Sequence, residues 1–405
     1  MEPKIRFKGF EGEWKTSTIG DFTTSFSGGT PTAGASEFYG GNIPFIRSGE
    51  IHESKTELFL TEAGLNNSSA KVVEKGTLLY ALYGATSGEV GISKIKGAIN
   101  QAILAIYPNK TVDKRFLANY LQSHKEKIVG ELLQGGQGNL SGALVKSISV
   151  TYPNNREQQT ISDYVDSLDS QISASTSRLA SLKQMKAASL QAMFPQEGKT
   201  VPKIRFKGFE EEWKTCILSS IATMHARIGW QNLRKDEFLS SGAYYLITGT
   251  DFHDGKISFE TCHYIDKERY DQDKNIQLEI DSILITKDGT LGKVAFVDSL
   301  DKPATLNAGV FNVRTKDKEI YPKYLFQYLK APYLMDYVNK NATGGTIKHL
   351  NQNMLVNFPV QHPSYKEQVM IGDYLFNLDR QISLQSQRLE KLKQIKSACL
   401  DKMFV

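Results

Sequence analysis

PKIRFKGFEGEWK, running from Pro3 to Lys15, returns as PKIRFKGFEEEWK from Pro202 to Lys214, with Gly12 against Glu211 the single difference. A second pair follows: REQQTISDYVDSLDSQIS onward, Arg156 to Phe194, and KEQVMIGDYLFNLDRQIS onward, Lys366 to Phe404, agree at 20 of 39 positions. The first pair is offset by 199 residues and the second by 210, so the stretch between the anchors is 210 − 199 = 11 residues longer in the second copy. Fainter matches survive in between: Ile46 to Ile51 with Ile247 to Phe252, Thr86 and Gly88 with Thr290 and Gly292, and Asn100 with Asn307. A period near 200 residues is too long for a solenoid repeat, so the chain reads as a tandem duplication of a two-part module, variable domain then helix.

The helical parts carry seam positions, most of them apolar, at alternating steps of four and three. In the first these are Ile161, Val165, Leu168, Ile172, Ser175, Leu179, Leu182, Lys186, Ser189 and Met193. In the second they are Ile371, Leu375, Leu378, Ile382, Gln385, Leu389, Leu392, Lys396, Cys399 and Met403. Heptad spacing of this kind predicts coiled-coil packing, and 39 residues at 1.5 Å each give a rod of roughly 58 Å. Because the first helix delivers the chain to the second variable domain and the second helix leaves from it, the pair should run antiparallel. Each helix is acidic early (Asp163, Asp166, Asp169; Asp373, Asp379) and basic late (Arg178, Lys183, Lys186; Lys391, Lys393, Lys396), which antiparallel pairing sets opposite in sign. A solvated helix following its own macrodipole would show the same order, so connectivity carries more weight.

The apolar alternation at Gly76 to Tyr83 and Ala98 to Tyr107, matched by Asp281 to Thr286 and Ala308 to Arg314, predicts strands. A helix then follows in each copy, Asp113 to Leu133 and Pro322 to Asn339, and after it a glycine-rich loop, GGQGNLSG (Gly135 to Gly142) and TGGTIKHLN (Thr343 to Asn351). The fold class is α+β: two mixed α/β domains and a pair of long antiparallel coiled-coil helices, related as a pseudo-twofold duplication. The divisions are 1–155, 156–195, 196–365 and 366–405.

With 405 residues, 40% of them apolar, the chain is long enough for more than one core. The excess of 49 Lys plus Arg over 44 Asp plus Glu is mild, and is compatible with an anionic partner without requiring one. Three scattered cysteines fit a reducing compartment. No apolar run approaches the roughly 20 residues that cross a bilayer, and MEPKIRFKGF lacks a signal peptide's apolar segment, so a cytoplasmic protein with no membrane contact is expected.

Catalytic readings fail on spacing. The loop from Gly135 has Ser141 where a dinucleotide fingerprint needs its third glycine, and it follows a helix. Gly198, Lys199 and Thr200 end like a phosphate loop, but Met193 stands at its first glycine. No Asn/Asp-Pro-Pro-aromatic motif of an amino-methyltransferase occurs. His253, Cys262 and His263 with Asp251 and Asp254 read as a surface loop, since zinc spacing wants paired ligands. Asp281 and Asp288 beside Lys287 read as turns.

What remains suits nucleic acid. The first domain's loops carry Arg47, Tyr83, Lys94, Lys96, Gln137 and Asn139. The second's carry Arg227, Trp230, Gln231, Asn232, Arg234, Lys235, Lys287, Lys293, Lys348 and His349. Arg and Lys meet phosphates or guanine edges, and Asn and Gln pair with adenine. On the helices, Tyr164, Met185 and Leu190 with Tyr374, Ile395 and Leu400 widen the apolar stripe, either as packing against the chain's own domains or as a docking face for partner helices, the reading favoured here.

Taken in order, the paired segments ending Glu-Trp-Lys, Ser27-Gly-Gly-Thr-Pro31, Ile43-Pro-Phe-Ile46, the glycine loop into Asn139-Leu140, and the Glu-Gln pairs Glu157-Gln158 and Glu367-Gln368 resemble the specificity subunit of type I restriction-modification enzymes. The resemblance covers the whole chain. It implies two target recognition domains, each reading one half of a split, asymmetric site in double-stranded DNA, held apart by the helices. It implies no catalysis in this chain and no cofactor of its own: two methyltransferase subunits would bring S-adenosylmethionine and flip an adenine, and restriction (motor-nuclease) subunits would bring ATP and Mg2+. One departure is that the second copy lacks the Ser-Gly-Gly-Thr-Pro stretch and carries Ala226-Arg-Ile-Gly-Trp230 nearby, so its reading loop is expected to be placed differently. A stand-alone DNA-binding regulator and a protein-binding scaffold remain open as alternatives.

Overall fold

The computed structural model describes residues 2–133, 139–228, 233–316, 319–341 and 350–405. They form two compact units, Met1–Ser175 with Arg388–Val405, and Thr176–Gln387. Each unit therefore holds part of both long helices, Asn155–Met193 and Tyr365–Met403.

In the first unit a four-stranded antiparallel sheet has the order Thr23–Ser27, Ile103–Pro108, Leu78–Ala81, Val90–Ile92. A second, mixed sheet has the order Leu58–Leu60, Tyr39–Ile46, Gly97–Ile99, Lys71–Val73, with its central pair parallel. The strand Leu78–Ala81 is buried along its whole length because it has a core on each face. Leu78 and Tyr80 join a core with Phe116, Leu117 and Leu121 of the following helix, while Leu79 and Ala81 pack with Ile46 and Ile99 of the mixed sheet. A strand covered on both sides reads as continuously apolar, which is why LLYA shows no polar face.

The second unit repeats the plan. Its antiparallel sheet runs Ala222–Ala226, Val310–Thr315, Ile283–Thr286, Val294–Phe296, and its mixed sheet His263–Ile265, Tyr244–Ile247, Ala304–Leu306. Where the first unit has Lys71–Val73 as a fourth strand, the second has a single bridge, Gln277 to Thr305. Ile283 and Ile285 face one core and Leu284 the other.

The helices expected at 113–133 and 322–339 are each two. Lys114–Ser123 and Lys125–Leu133 are separated at His124, and Pro322–Lys330 and Tyr333–Lys340 at Ala331 and Pro332. Pro332 offers no N–H and forces Ala331 into extended backbone, ending the first helix there.

The repeated ends form the frame. Glu157 and Glu367, wholly buried, each accept a two-pronged guanidinium from the repeated opening segment: Arg6 to Glu157 at 2.7 and 2.8 Å, and Arg205 to Glu367 at 2.7 and 2.8 Å. The adjacent glutamines pin the loop before the helix. Gln158 accepts from Asp113 N and donates to Pro153 O; Gln368 accepts from Tyr321 N and donates to Glu319 O and Pro363 O. The Met-Phe that closes each long helix supplies the last piece. Phe194 is fully buried among Trp213, Tyr324, Tyr328 and Tyr333 of the second unit, and Phe404 packs on Phe116 and Tyr120 of the first.

Within each unit the two helical portions run antiparallel. In the first, Asp169 meets Lys396 at 2.5 Å while Tyr164 meets Cys399. In the second, Lys186 meets Asp379 while Ser189 meets the Tyr374 hydroxyl at 3.3 Å. Among the described residues no helix is long and apolar enough to cross a membrane.

Candidate nucleic-acid interface

Strand ends on one edge of each unit are tied together by backbone hydrogen bonds. In the first unit Asn100 N donates to Ile46 O at 3.2 Å, Leu82 N to Ala102 O at 2.8 Å, Leu140 N to Leu82 O at 3.0 Å, and Gly29 N to Ile99 O at 3.2 Å. These bonds bring the segments after residues 27, 46, 82, 99 and before 140 to a single edge. The second unit repeats three of them: Asn307 N to Ile247 O at 2.9 Å, Lys287 N to Gly309 O at 2.9 Å, and Leu350 N to Lys287 O at 2.9 Å. Loops anchored in this way hold their side chains on a fixed scaffold, the arrangement that precise recognition requires.

The edge gathers some of the residues expected from the sequence. Tyr83, half-buried, and Asn139, exposed, each stand one residue from the Leu140 to Leu82 bond. Arg47, which follows the strand Tyr39–Ile46, shares this edge. In the second unit Lys287, with its ammonium 5.7 Å from the centre of the Phe311 ring, and exposed Lys293 flank the turn built on Gly292. Gly292 has φ +70°, and a Cβ there would strike the Met335 sulfur at 2.2 Å; Gly88 has φ +81° and would strike Val129 at 2.5 Å. The shared T-x-G is thus a left-handed turn seated on the helix that follows.

Two expectations are corrected. Lys94 and Lys96 lie at the opposite end of the strand Leu78–Ala81 from Tyr83, in the turn whose Ser93 O accepts Gly76 N, and Lys96 pairs with Glu74 at 2.7 Å. Arg227 is 1% exposed and cannot reach a partner. Its Nε donates to Leu306 O at 3.0 Å and its Nη1 to Gln272 Oε1 at 3.4 Å, and burial together with the Arg269 cation lowers its pKa. The register explains this. Ser27 pairs with Leu104 as Ala226 pairs with Phe311, so Arg227 takes the place of Gly28. In the first unit the backbone itself lies against Ile99, where a Cβ on Gly28 would come to 1.9 Å from Ile99 O; in the second, a guanidinium occupies the corresponding carbonyl. Arg234 is exposed, its N–H donating to Glu237. Gln137, Trp230, Gln231, Asn232, Lys348 and His349 lie outside the described residues, as does the side chain of Lys235.

The helix flank is partly filled by the chain itself and partly open, with Tyr164 staying 36% exposed. Phe7 meets Tyr164 edge-on at 5.6 Å and Phe206 meets Tyr374 at 6.1 Å; Leu190 and Leu400 pack on the cores. Ile395 is half-buried, and Met185 is 49% exposed.

Sequence reasoning missed the turns that follow the mixed sheets. Ser48–Glu50 and Gly249–Asp251 are single turns capped by a carboxylate: Glu50 accepts from Arg47 N at 3.1 Å and Asp251 from Thr248 N at 2.8 Å. Thr248 and Thr250 therefore belong to the second edge. Thr30 and Gln101, joined by a hydrogen bond, belong to the first. The match of Ile46 to Ile51 with Ile247 to Phe252 was the available signal for these turns.

A model of the type I restriction modification DNA specificity domain matches the chain twice, over residues 11–184 and 210–394. The specificity subunit of the type I restriction enzyme MjaIX from Methanocaldococcus jannaschii is 31% identical over 170 residues, 38% of this chain and 38% of that one. The specificity subunit of EcoBI from Escherichia coli is 22% identical over 303 residues, 70% of this chain and 64% of that one. The matches thus span less than two thirds of either relative's length. In fold, the crystal structure of a type I restriction-modification S subunit from M. genitalium superposes with a TM-score of 0.67 at 17% identity, covering 100% of this chain and 99% of that one. With both copies of its repeat matched by one family, the chain belongs to the type I restriction-modification DNA specificity family.

Proposed function

We propose that this chain reads a bipartite, asymmetric sequence in double-stranded DNA, one part with the loop edge of each unit, as a non-catalytic subunit that directs others. The observation that carries the reading is the pair of edges. One frame of backbone bonds is kept, while the side chains mounted on it differ: Arg47 against Thr248, Tyr83 against Asp288, Glu89 against Lys293. Two differing surfaces on one frame suit two differing half-sites. Methyl transfer and cleavage are assigned to two methyltransferase subunits and to restriction subunits, which would carry S-adenosylmethionine, ATP and Mg2+. Among the described residues of this chain no three His, Cys, Asp or Glu side chains gather as metal ligands.

Mapping of methylated bases in cells carrying the chain with its methyltransferase partners should return a two-part motif with unlike halves. A palindromic or continuous motif would overturn the reading. The purified chain alone should transfer no methyl group. Tight sequence-specific binding without any partner would favour a stand-alone regulator instead.

A further inference from the structure

Arg47 is the most elaborately held side chain on the first edge. Its Nε–H donates to Glu50 Oε2 at 3.1 Å and its Nη2–H to Glu50 Oε1 at 3.0 Å, a side-on, two-pronged pair. Glu50 is itself fixed, because it also accepts from Arg47 N at 3.1 Å, Thr56 Oγ1 at 3.1 Å and Glu57 N at 3.0 Å, and its side chain is 12% exposed. Burial would raise the Glu50 pKa, but Arg47 and these backbone donors overcome it and bring the pKa down to about 2. The second Nη2–H of Arg47 goes to Glu57 at 2.6 Å, a carboxylate 81% exposed. Nη1 has no hydrogen-bond partner among the described residues.

We propose that Arg47 reads a guanine in the half-site served by the first unit, with Glu50 as its buttress and Glu57 as the carboxylate it releases on binding. The proposal rests on the DNA-reading function argued above and names one reader within it. Three features point to a base rather than a phosphate. Glu50 occupies the Nε–Nη2 side and leaves the Nη1–Nη2 end, two coplanar donors that match O6 and N7 of guanine in the major groove. Glu50 alone balances the guanidinium charge after Glu57 has left, which suits a neutral base edge and gives a phosphate little to pair with. The buttress also removes most of the side chain's freedom before DNA arrives. In the second unit the frame keeps the buttress, Asp251 accepting from Thr248 N and Oγ1, but puts a short hydroxyl where the arginine stands. The reader changes and its support does not.

The test is methylation mapping with the intact complex of chain and methyltransferase partners, comparing wild type with Arg47→Ala, Arg47→Lys and Glu57→Gln. Arg47→Ala should relax one G·C position in one half-site, with discrimination there falling roughly tenfold to a hundredfold, and leave the other half-site untouched. Arg47→Lys keeps a cation beside Glu50, guarding against loss of the turn, and should relax the same position because an ammonium lacks the paired donors. Glu57→Gln should keep the motif and tighten binding. A uniform loss at all sites would make Arg47 a phosphate contact, an unchanged motif would make it a tie within the turn, and a motif altered by Glu57→Gln would make Glu57 the reader; each overturns the proposal. A wild-type complex with no two-part motif would instead sink the underlying function.

Discussion

Arg205→Ala should lower the stability of the second unit by about 3–5 kcal/mol, because it strands a buried carboxylate without its counterion. Glu367 is wholly buried, and both its oxygens are taken by Arg205. Arg205 is itself 12% exposed, so water can reach part of the vacated site and hold the loss toward the lower figure. The expected phenotype is local: faster hydrogen exchange over the start of the helix Tyr365–Met403 and the strand pair Lys214–Ile217 with Pro359–His362. The double change Arg205→Met with Glu367→Leu should recover much of the loss, since neither charge is then left alone. If Arg205→Ala proves nearly neutral by urea unfolding, the pair is decoration and the repeated Arg-Glu has no bearing on the frame.

The repeat itself was fully legible, and so was the seam: all twenty positions read from the heptad spacing are buried or half-buried. Spacing within one helix is local information. What the Glu-Gln pair does was not legible, because Arg6 lies 151 residues from Glu157 and nothing in either segment names the other. The split of each 113–133 and 322–339 helix was half legible. Pro332 announces one break, whereas His124 carries no such mark.

At the edges, sequence placed Arg47, Tyr83 and Asn139 correctly on loops but could not separate them from Lys94 and Lys96, since both ends of a short strand look alike until its pairing is known. Arg227 was misplaced for a sharper reason. An arginine beside a loop reads as a surface cation, and only the register that sets Ala226 against Ser27 shows it standing in for a glycine packed on backbone. Tertiary pairing turned a candidate DNA contact into a buried strut.

Asp379→Asn should be comparably damaging, at about 3–5 kcal/mol near neutral pH, and its cost should shrink as pH rises. The Asp379 carboxylate accepts from Lys186, from Lys330 at 3.2 Å and from Gln327 Nε2 at 2.8 Å, while Lys186 and Asp379 are 9% and 14% exposed. Burial would raise the Asp379 pKa, but Lys330, Lys186 and Gln327 overcome it and hold the group below the usual carboxylate range. Burial, aided by the Lys330 cation and opposed by Asp379, lowers Lys186 from 10.5 to about 8. The signs follow from proton counting. Asp379 binds its proton less readily folded than unfolded, so its stabilisation is present above the ordinary carboxylate pKa and is lost as pH falls through the lower folded value. Lys186 also binds its proton less readily folded, so between about 8 and 10.5 the unfolded chain holds more protons and stability climbs with pH. Without the carboxylate, two ammonium groups share a largely buried site and Lys186 gives up its proton at still lower pH, after which little repulsion remains. Urea unfolding of wild type and Asp379→Asn at pH 6.5 and 9.5 checks this, with a cost that does not vary with pH as the contrary result. Lys186→Met removes the more weakly held charge and leaves Asp379 with Lys330 and Gln327, so it should cost far less than Asp379→Asn and can be neutral or stabilising. A lysine at a heptad seam would on that outcome fix how the helix sits against this domain at some cost in stability, the use best attested for polar residues in coiled-coil cores.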